Sequence, residues 1–185
     1  MQAIIVTGAL GWSCAAAAQA SVTSVAVRQT DEGYVADLVM RVAVPREQAF
    51  AVLVDFENMA GWVPDVQVSR VVKRETNRAT IEYEGVAHYG FLPIPFTTVR
   101  VIEFEPSNWL RSTQIKGTMK SHQSRIDFTA EGEATRLNYH VEMVPSGIAA
   151  LLLNQRRVER EVTQHFEAIG AEIVKRKAAM PPPSQ

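Results

Sequence analysis

The longest regular pattern in the chain runs from Pro145 to Met180, PSGIAALLLNQRRVEREVTQHFEAIGAEIVKRKAAM. Val158, Val162, Phe166, Ile169 and Ile173 recur at steps of four, four, three and four, which places them on one stripe of an α-helix. Ile148, Leu151 and Leu152 carry the stripe towards the N-terminus, and Gln155 falls within it. Pro145 and Ser146 are a start signal, Lys175, Arg176 and Lys177 stand where a helix C-terminus favours cations, and Pro181 stops the pattern. The expectation is one helix over the whole stretch. Propensity alone does not hold such a helix in water, so its stripe needs a partner surface.

Upstream, the period shortens to two. Val22–Gln29 and Tyr34–Val44 alternate and are rich in Val, and Thr30-Asp31-Glu32-Gly33 between them is a turn, so a hairpin is expected. Pro45 then opens a short helix, PREQAFAVLVDF, with Ala49, Phe50, Leu53 and Val54 on its apolar face. A second short turn, Glu57 to Trp62, is closed by Gly61 and Pro64. From there the text is strand after strand: Val66–Glu75, Arg78–Tyr89, Phe96–Glu105, Trp109–Met119, His122–Ala130 and Thr135–Val144. Turn residues separate them, so the segments form an antiparallel meander. No strand alternates with a helix, which excludes a doubly wound parallel sheet. An antiparallel sheet of this length twists and curls, and only the C-terminal helix is long enough to cover its concave face. A sheet gripping a helix leaves an internal space suited to a ligand.

Composition narrows the setting. The 185 residues are 46% hydrophobic and 21% charged, enough for one domain with a real core. The net charge is −1, and Arg156, Arg157 and Arg160 are interleaved with Glu159 and Glu161. That is a solvated helix face, and no nucleic-acid partner is expected. The first twenty residues, MQAIIVTGALGWSCAAAAQA, carry no charged side chain. An apolar run from Ala3 to Leu10 leads to Ala18-Gln19-Ala20, which fits a signal peptide cleaved after Ala20. The expected organisation is thus a signal peptide at 1–20, one domain at 21–180 and a disordered tail at 181–185, with the mature protein periplasmic or secreted. Cleavage would remove Cys14, the sole cysteine, and with it disulfide and thiolate chemistry.

One stretch resembles a known family. Val44-Pro45 is followed by the helix, by Leu53-Val54-Asp55 and then by Trp62-Val63-Pro64-Asp65-Val66. This resembles the opening of START-like helix-grip (SRPBCC) proteins, in particular the polyketide cyclase/dehydrase and coenzyme-Q-binding branch. The resemblance implies an α+β helix-grip fold: a curved antiparallel sheet of about seven strands wrapped around a long C-terminal helix, with two short helices after the N-terminal hairpin. It also implies a cavity for a lipid, quinone, polyketide or similar molecule. It does not specify a reaction, because the family mixes carriers, sensors and enzymes. Within the motif, capping by Asp55 and core filling by Trp62 are sufficient explanations, and Trp62 is also a candidate cavity residue.

The chemistry-bearing residues are few. His88, His122, His140 and His165 show no metal-ligand spacing, and no cofactor motif is present. His165 lies on the helix stripe and, with Gln155, would face a cavity as a polar point. His122 shares strand parity with Ser124, Ile126 and Phe128, whereas His88 shares it with Glu82 and Glu84 and should point outwards. Arg100 alternates with Ile102 and Phe104, and Arg111 with Trp109, Thr113 and Ile115. An arginine on an apolar face is costly unless paired, and Arg111 is the chosen candidate for a bidentate contact with a ligand. Tyr83, Tyr89 and Tyr139 each offer a phenol. Finally, Gly90-Phe91-Leu92-Pro93-Ile94-Pro95-Phe96 places Phe91, Leu92, Ile94 and Phe96 in a connection where polar residues are expected. It reads as a lid over the cavity touching Ile148 and Leu152, as a membrane-surface contact, or as a docking site for an envelope complex.

These observations favour a non-enzymatic binding protein for a hydrophobic small molecule. A cyclase or dehydratase on the same fold is the alternative. The oligomeric state is left open.

Overall fold

The computed structural model describes residues 19–89 and 91–179, so residues 1–18 of the expected signal peptide and the tail at 181–185 lie outside the described residues. Eight strands form one antiparallel sheet: β1 (Ala20–Gln29), β2 (Tyr34–Val42), β3 (Val66–Glu75), β4 (Arg78–Tyr89), β5 (Leu92–Glu105), β6 (Trp109–Gly117), β7 (Ser121–Glu131) and β8 (Ala134–Val144). Their order is β1-β2-β8-β7-β6-β5-β4-β3. The meander therefore runs unbroken from β3 to β8, and the N-terminal hairpin joins it by pairing β2 with β8, Tyr34 opposite Met143. The fold is α+β and helix-grip, with one strand more than the seven expected. β1 starts at Ala20, opposite Val42, so cleavage after Ala20 would trim its first rung.

Helix α1 (Arg46–Leu53) follows β2, with Pro45 at its N-cap, and a 3₁₀ turn covers Phe56–Gly61. Asp55 stands before that turn, but its side chain does not cap it. It accepts a hydrogen bond from Asn58 Nδ2 (2.8 Å) and pairs with Arg176 (2.7 Å) near the end of the last helix. Arg176 also pairs with Glu172 (2.8 Å), a buried carboxylate that Lys175 reaches at 3.0 Å. Asp55 thus ties the C-terminal helix to the α1 junction.

The single C-terminal helix expected from the apolar pattern is two helices. α2 covers Gly147–Leu152 and α3 covers Gln155–Ala179. Leu153 is extended (φ −72°, ψ 139°) and buried, and its carbonyl accepts the Tyr34 hydroxyl at 3.0 Å. Asn154 then caps α3, its Oδ1 accepting the Arg157 N–H at 3.1 Å. The break turns α2 away from the stripe, and none of its residues is buried.

The stripe itself holds. Val158, Val162, Phe166, Ile169 and Ile173 are all buried. α3 packs mainly on β1, β2 and α1. At Gly170 the Met40 methyl and Ala20 Cβ occupy the space a Cβ would need, so glycine permits that close approach. The helix grips one half of the sheet and leaves the inner face of the other half facing a gap.

Candidate functional site: a two-lobed cavity around Arg100

The gap is a cavity with two lobes. The first, about 290 Å³, lies between the 3₁₀ turn (Phe56, Met59, Trp62), the inner face of the sheet (Tyr83, Ile126, Tyr139) and α3 (His165, Phe166, Ile169). The second, about 470 Å³, lies between the start of β5 (Ile94, Pro95, Phe96), Met119, α2 (Ile148, Ala149) and Leu153. Ala87, Phe96, Thr98 and Arg100 border both, so the lobes meet at the Arg100 side chain. Volumes of this order suit a small-molecule ligand.

The register of the sheet makes Arg100 the polar centre. β5 carries Thr98, Arg100 and Ile102 on its inner face, opposite Gln114 and Ser112 of β6. A bulge between Val99 and Arg100 skips Ile115, which is left on the outside, 60% exposed. Arg100 Nε donates a long bond to Thr98 Oγ1 (3.4 Å), and its guanidinium lies 5.9 Å from the Tyr83 ring centroid. Among the described residues, no carboxylate pairs with Arg100. The two acids on the first lobe, Asp65 and Glu161, are exposed at its rim. Asp65 engages His88 (3.2 Å), and Glu161 feels Arg157 and Arg160 on its own helix.

The groups around Arg100 are held neutral. Burial pushes the Tyr83 and Tyr139 phenols up to about 12, while Arg100 pulls each the other way. Burial, then the Arg100 charge, lowers His165 to about 4. His165 lines the first lobe and keeps accessible surface there. Burial, Arg100 and His165, in that order, hold His122 well below the usual imidazole range. Three buried polar atoms of this region, Trp62 Nε1, Ser112 Oγ and His122 Nδ1, have no partner among the described residues.

The expected site residues divide clearly. Trp62, Tyr83, Phe96 and His165 line the first lobe, and Ile94, Phe96 and Ile148 the second. His122 is buried beside the first lobe, electrostatically coupled to Arg100 and His165 without lining it. Arg111 corrects the expectation: Leu110 and Ser112 are the inward residues of β6, so Arg111 is exposed on the outer face, over the Trp109 ring at 5.9 Å. Gln155 is exposed at the start of α3, because the Asn154 cap restarts the helix and resets its faces. Leu151 is 85% exposed, and neither it nor Leu152 lines a lobe, since α2 turns away at Leu153. Phe91 is 98% exposed and Leu92 39%, and neither reaches a lobe. The side chain of Tyr89 lies outside the described residues.

The expected loop is also not a loop from Leu92 onwards. Leu92–Phe96 is the first part of β5, paired with Gly85–Tyr89. β6 joins β5 only from Thr98 onwards, so this part of β5 has one free edge. Pro93 and Pro95 share one parity, and their missing N–H groups fall on that free edge without breaking the ladder to β4. Sequence reasoning passed over Arg100 although its parity was visible. The deciding signal, its contact with both lobes and the absence of a carboxylate, exists only in three dimensions.

The polyketide cyclase / dehydrase and lipid transport family profile matches residues 42–167. The chain belongs to this family. The match runs from the end of β2 to α3 and includes every strand that lines the cavity. No curated protein sequence matches the chain. Solved structures with the same fold include human STARD10 (TM-score 0.68, 14% identity, 87% of this chain and 75% of that chain covered). Others are the Zhui aromatase/cyclase from Streptomyces sp. R1128 (0.61, 15%, 77% and 94%) and a STAR-related lipid transfer protein from Xanthomonas axonopodis (0.62, 12%, 84% and 98%). Members of this family bind hydrophobic small molecules such as lipids or cyclise polyketides, and at these identities the likeness establishes the fold.

Proposed function

We propose that the protein is an exported binding protein that holds a hydrophobic small molecule, of lipid, quinone or polyketide-like type, between the sheet and α3. The observation that carries this reading is the pair of joined lobes, about 290 and 470 Å³, beside a buried core that α3 and the sheet share. Loading at a membrane surface fits the exposed side chains flanking the second lobe: Phe91 and Leu92 beside Ile94, and Ile148 and Leu151 on α2. Export rests on the uncharged N-terminal segment and its Ala18-Gln19-Ala20 site, and N-terminal sequencing of the secreted protein should read from Ser21.

The test is solvent extraction of protein purified from its native host, with mass spectrometry of the extract. A stoichiometric apolar compound is expected, and Ala87→Trp, which fills the wall common to both lobes, should lose it. Native protein that carries no small molecule and takes up no neutral hydrophobic dye would overturn the reading.

A cyclase-type enzyme is the second reading, favoured by His165 on the cavity wall near Arg100. A ring lowered to about 4 is neutral but weakly basic, far from the match to working pH that efficient proton transfer needs. Carriage is therefore the better account. Turnover of a polyketone substrate that disappears in His165→Ala, with ligand retention intact, would reverse that order.

A further inference from the structure

The charge census of the cavity identifies one end of its occupant. Arg100 is a permanent cation at the junction of two lobes, without a carboxylate partner among the described residues. Among the described residues its one hydrogen bond is the long contact to Thr98, which leaves the terminal guanidinium nitrogens free to form a fork. An arginine held away from bulk water without a counter-ion is costly, and the cost is relieved by an anion in bidentate contact. The surroundings suit an anion and oppose a second cation. The Tyr83 and Tyr139 phenols keep their protons, and the orphaned Ser112 hydroxyl is an uncharged group with hydrogen-bonding capacity to spare. Gln114 is not available, because its Oε1 accepts from Thr98 (3.2 Å) and its Nε2 donates to the Met119 carbonyl (2.8 Å).

We propose that the occupant is an amphiphilic acid whose carboxylate pairs with Arg100, while its hydrocarbon body lies along Ile94, Phe96, Met119 and Ala149 in the second lobe. This rests on the ligand-binding reading above and specifies its head group. A quinone or ketone carbonyl would accept one hydrogen bond from Arg100 and leave the charge uncompensated. A phosphate dianion would bring a second negative charge that no other cation at the junction meets.

The assay displaces the neutral dye Nile red from the purified full chain with three matched compounds, hexadecanoate, hexadecanol and methyl hexadecanoate, at mildly alkaline pH. Hexadecanoate should bind more tightly than either neutral analogue by about tenfold or more, the factor one charge-assisted hydrogen bond supplies. Arg100→Gln should erase that preference, and Arg100→Lys, which keeps the charge but loses the fork, should retain part of it. Thermal melts of both variants establish that they fold, and if Arg100→Gln does not, the Lys variant and the native comparison decide. Native protein that takes up Nile red but binds hexadecanol as tightly as hexadecanoate overturns the head-group assignment and leaves the cavity reading standing. Failure to take up Nile red by protein that also carries no small molecule overturns the cavity reading itself.

Discussion

Ile169 and Ile173 sit one turn apart on α3, each 2% exposed and each part of the same stripe. They differ in one respect: Ile169 borders the first lobe, and Ile173 borders neither lobe. Truncating each to Ala removes the same atoms from positions that burial alone would rank equal. At Ile173 the deletion leaves a new void in sealed core, so the full cost applies, about 4 kcal/mol from transfer plus cavity formation. At Ile169 one side already faces open space, and the contacts a cavity would forfeit there are absent before the mutation. The loss should fall to about 2–3 kcal/mol. Urea unfolding with both m-values fixed to native measures the difference, and melting temperatures should follow at about 2–4 °C per kcal/mol for a domain of this size. Equal losses at the two positions would mean that the first lobe is closed in solution, and the ligand-binding reading would fall with it.

Three further outcomes follow from geometry already described. His122 and His165 are held below the ordinary imidazole value by burial and by Arg100, and Glu161 shares the lining of the first lobe with His165. Their folded pKa lies below the unfolded value, so the stability they contribute is complete above about 6.5 and is lost as pH falls from there towards 4. His140, raised by Asp37, titrates with the opposite sign on the outer surface. A pH series of urea midpoints should therefore slope downwards into acid, and His122→Gln/His165→Gln should flatten it; an unchanged slope would place both rings in ordinary solvent. Asn154→Ala removes the cap that starts α3 and should cost about 1 kcal/mol, read as a lower melting temperature, whereas no change would refute the capping role. Gly85→Ala drives a Cβ into the Asp65 carbonyl and the Phe96 ring, so a loss above about 2 kcal/mol is expected, and a neutral result would contradict the close approach of β4 there.

Much of this architecture was legible in the chain because it rests on periodicity. The Val158-to-Ile173 stripe, the Thr30-to-Gly33 turn and the turns between Glu75 and Arg78 and between Glu105 and Trp109 are local signals, and all hold. The misreadings share a cause. Leu151-Leu152-Leu153 continues the apolar run so smoothly that the Asn154 cap was hidden, and the single-helix reading then misplaced Gln155 and Leu151. Trp109 resembled a core residue, yet it lies under Arg111 and Arg125 on the outer face, so parity counted from it turned Arg111 inwards. Pro93 and Pro95 announced a loop, although an edge with its N–H side free tolerates both. In each case, a long-range pairing decided what the local pattern left ambiguous. The polar centre was less legible still, because a lone arginine on an apolar strand face has the same sequence signature whether its partner is a carboxylate of the chain or a ligand.

The pairing of β2 with β8 carries a consequence for how the protein is made. Tyr34 meets Met143 and Val42 meets Thr135, so the first hairpin has no neighbour in the sheet until nearly the whole domain has been synthesised. β1 and β2 are also where α3 packs most, and α3 comes later still. Non-local closure of this kind slows folding. In a chain synthesised from its N-terminus, the first hairpin therefore waits for its neighbour in the sheet until the last quarter appears.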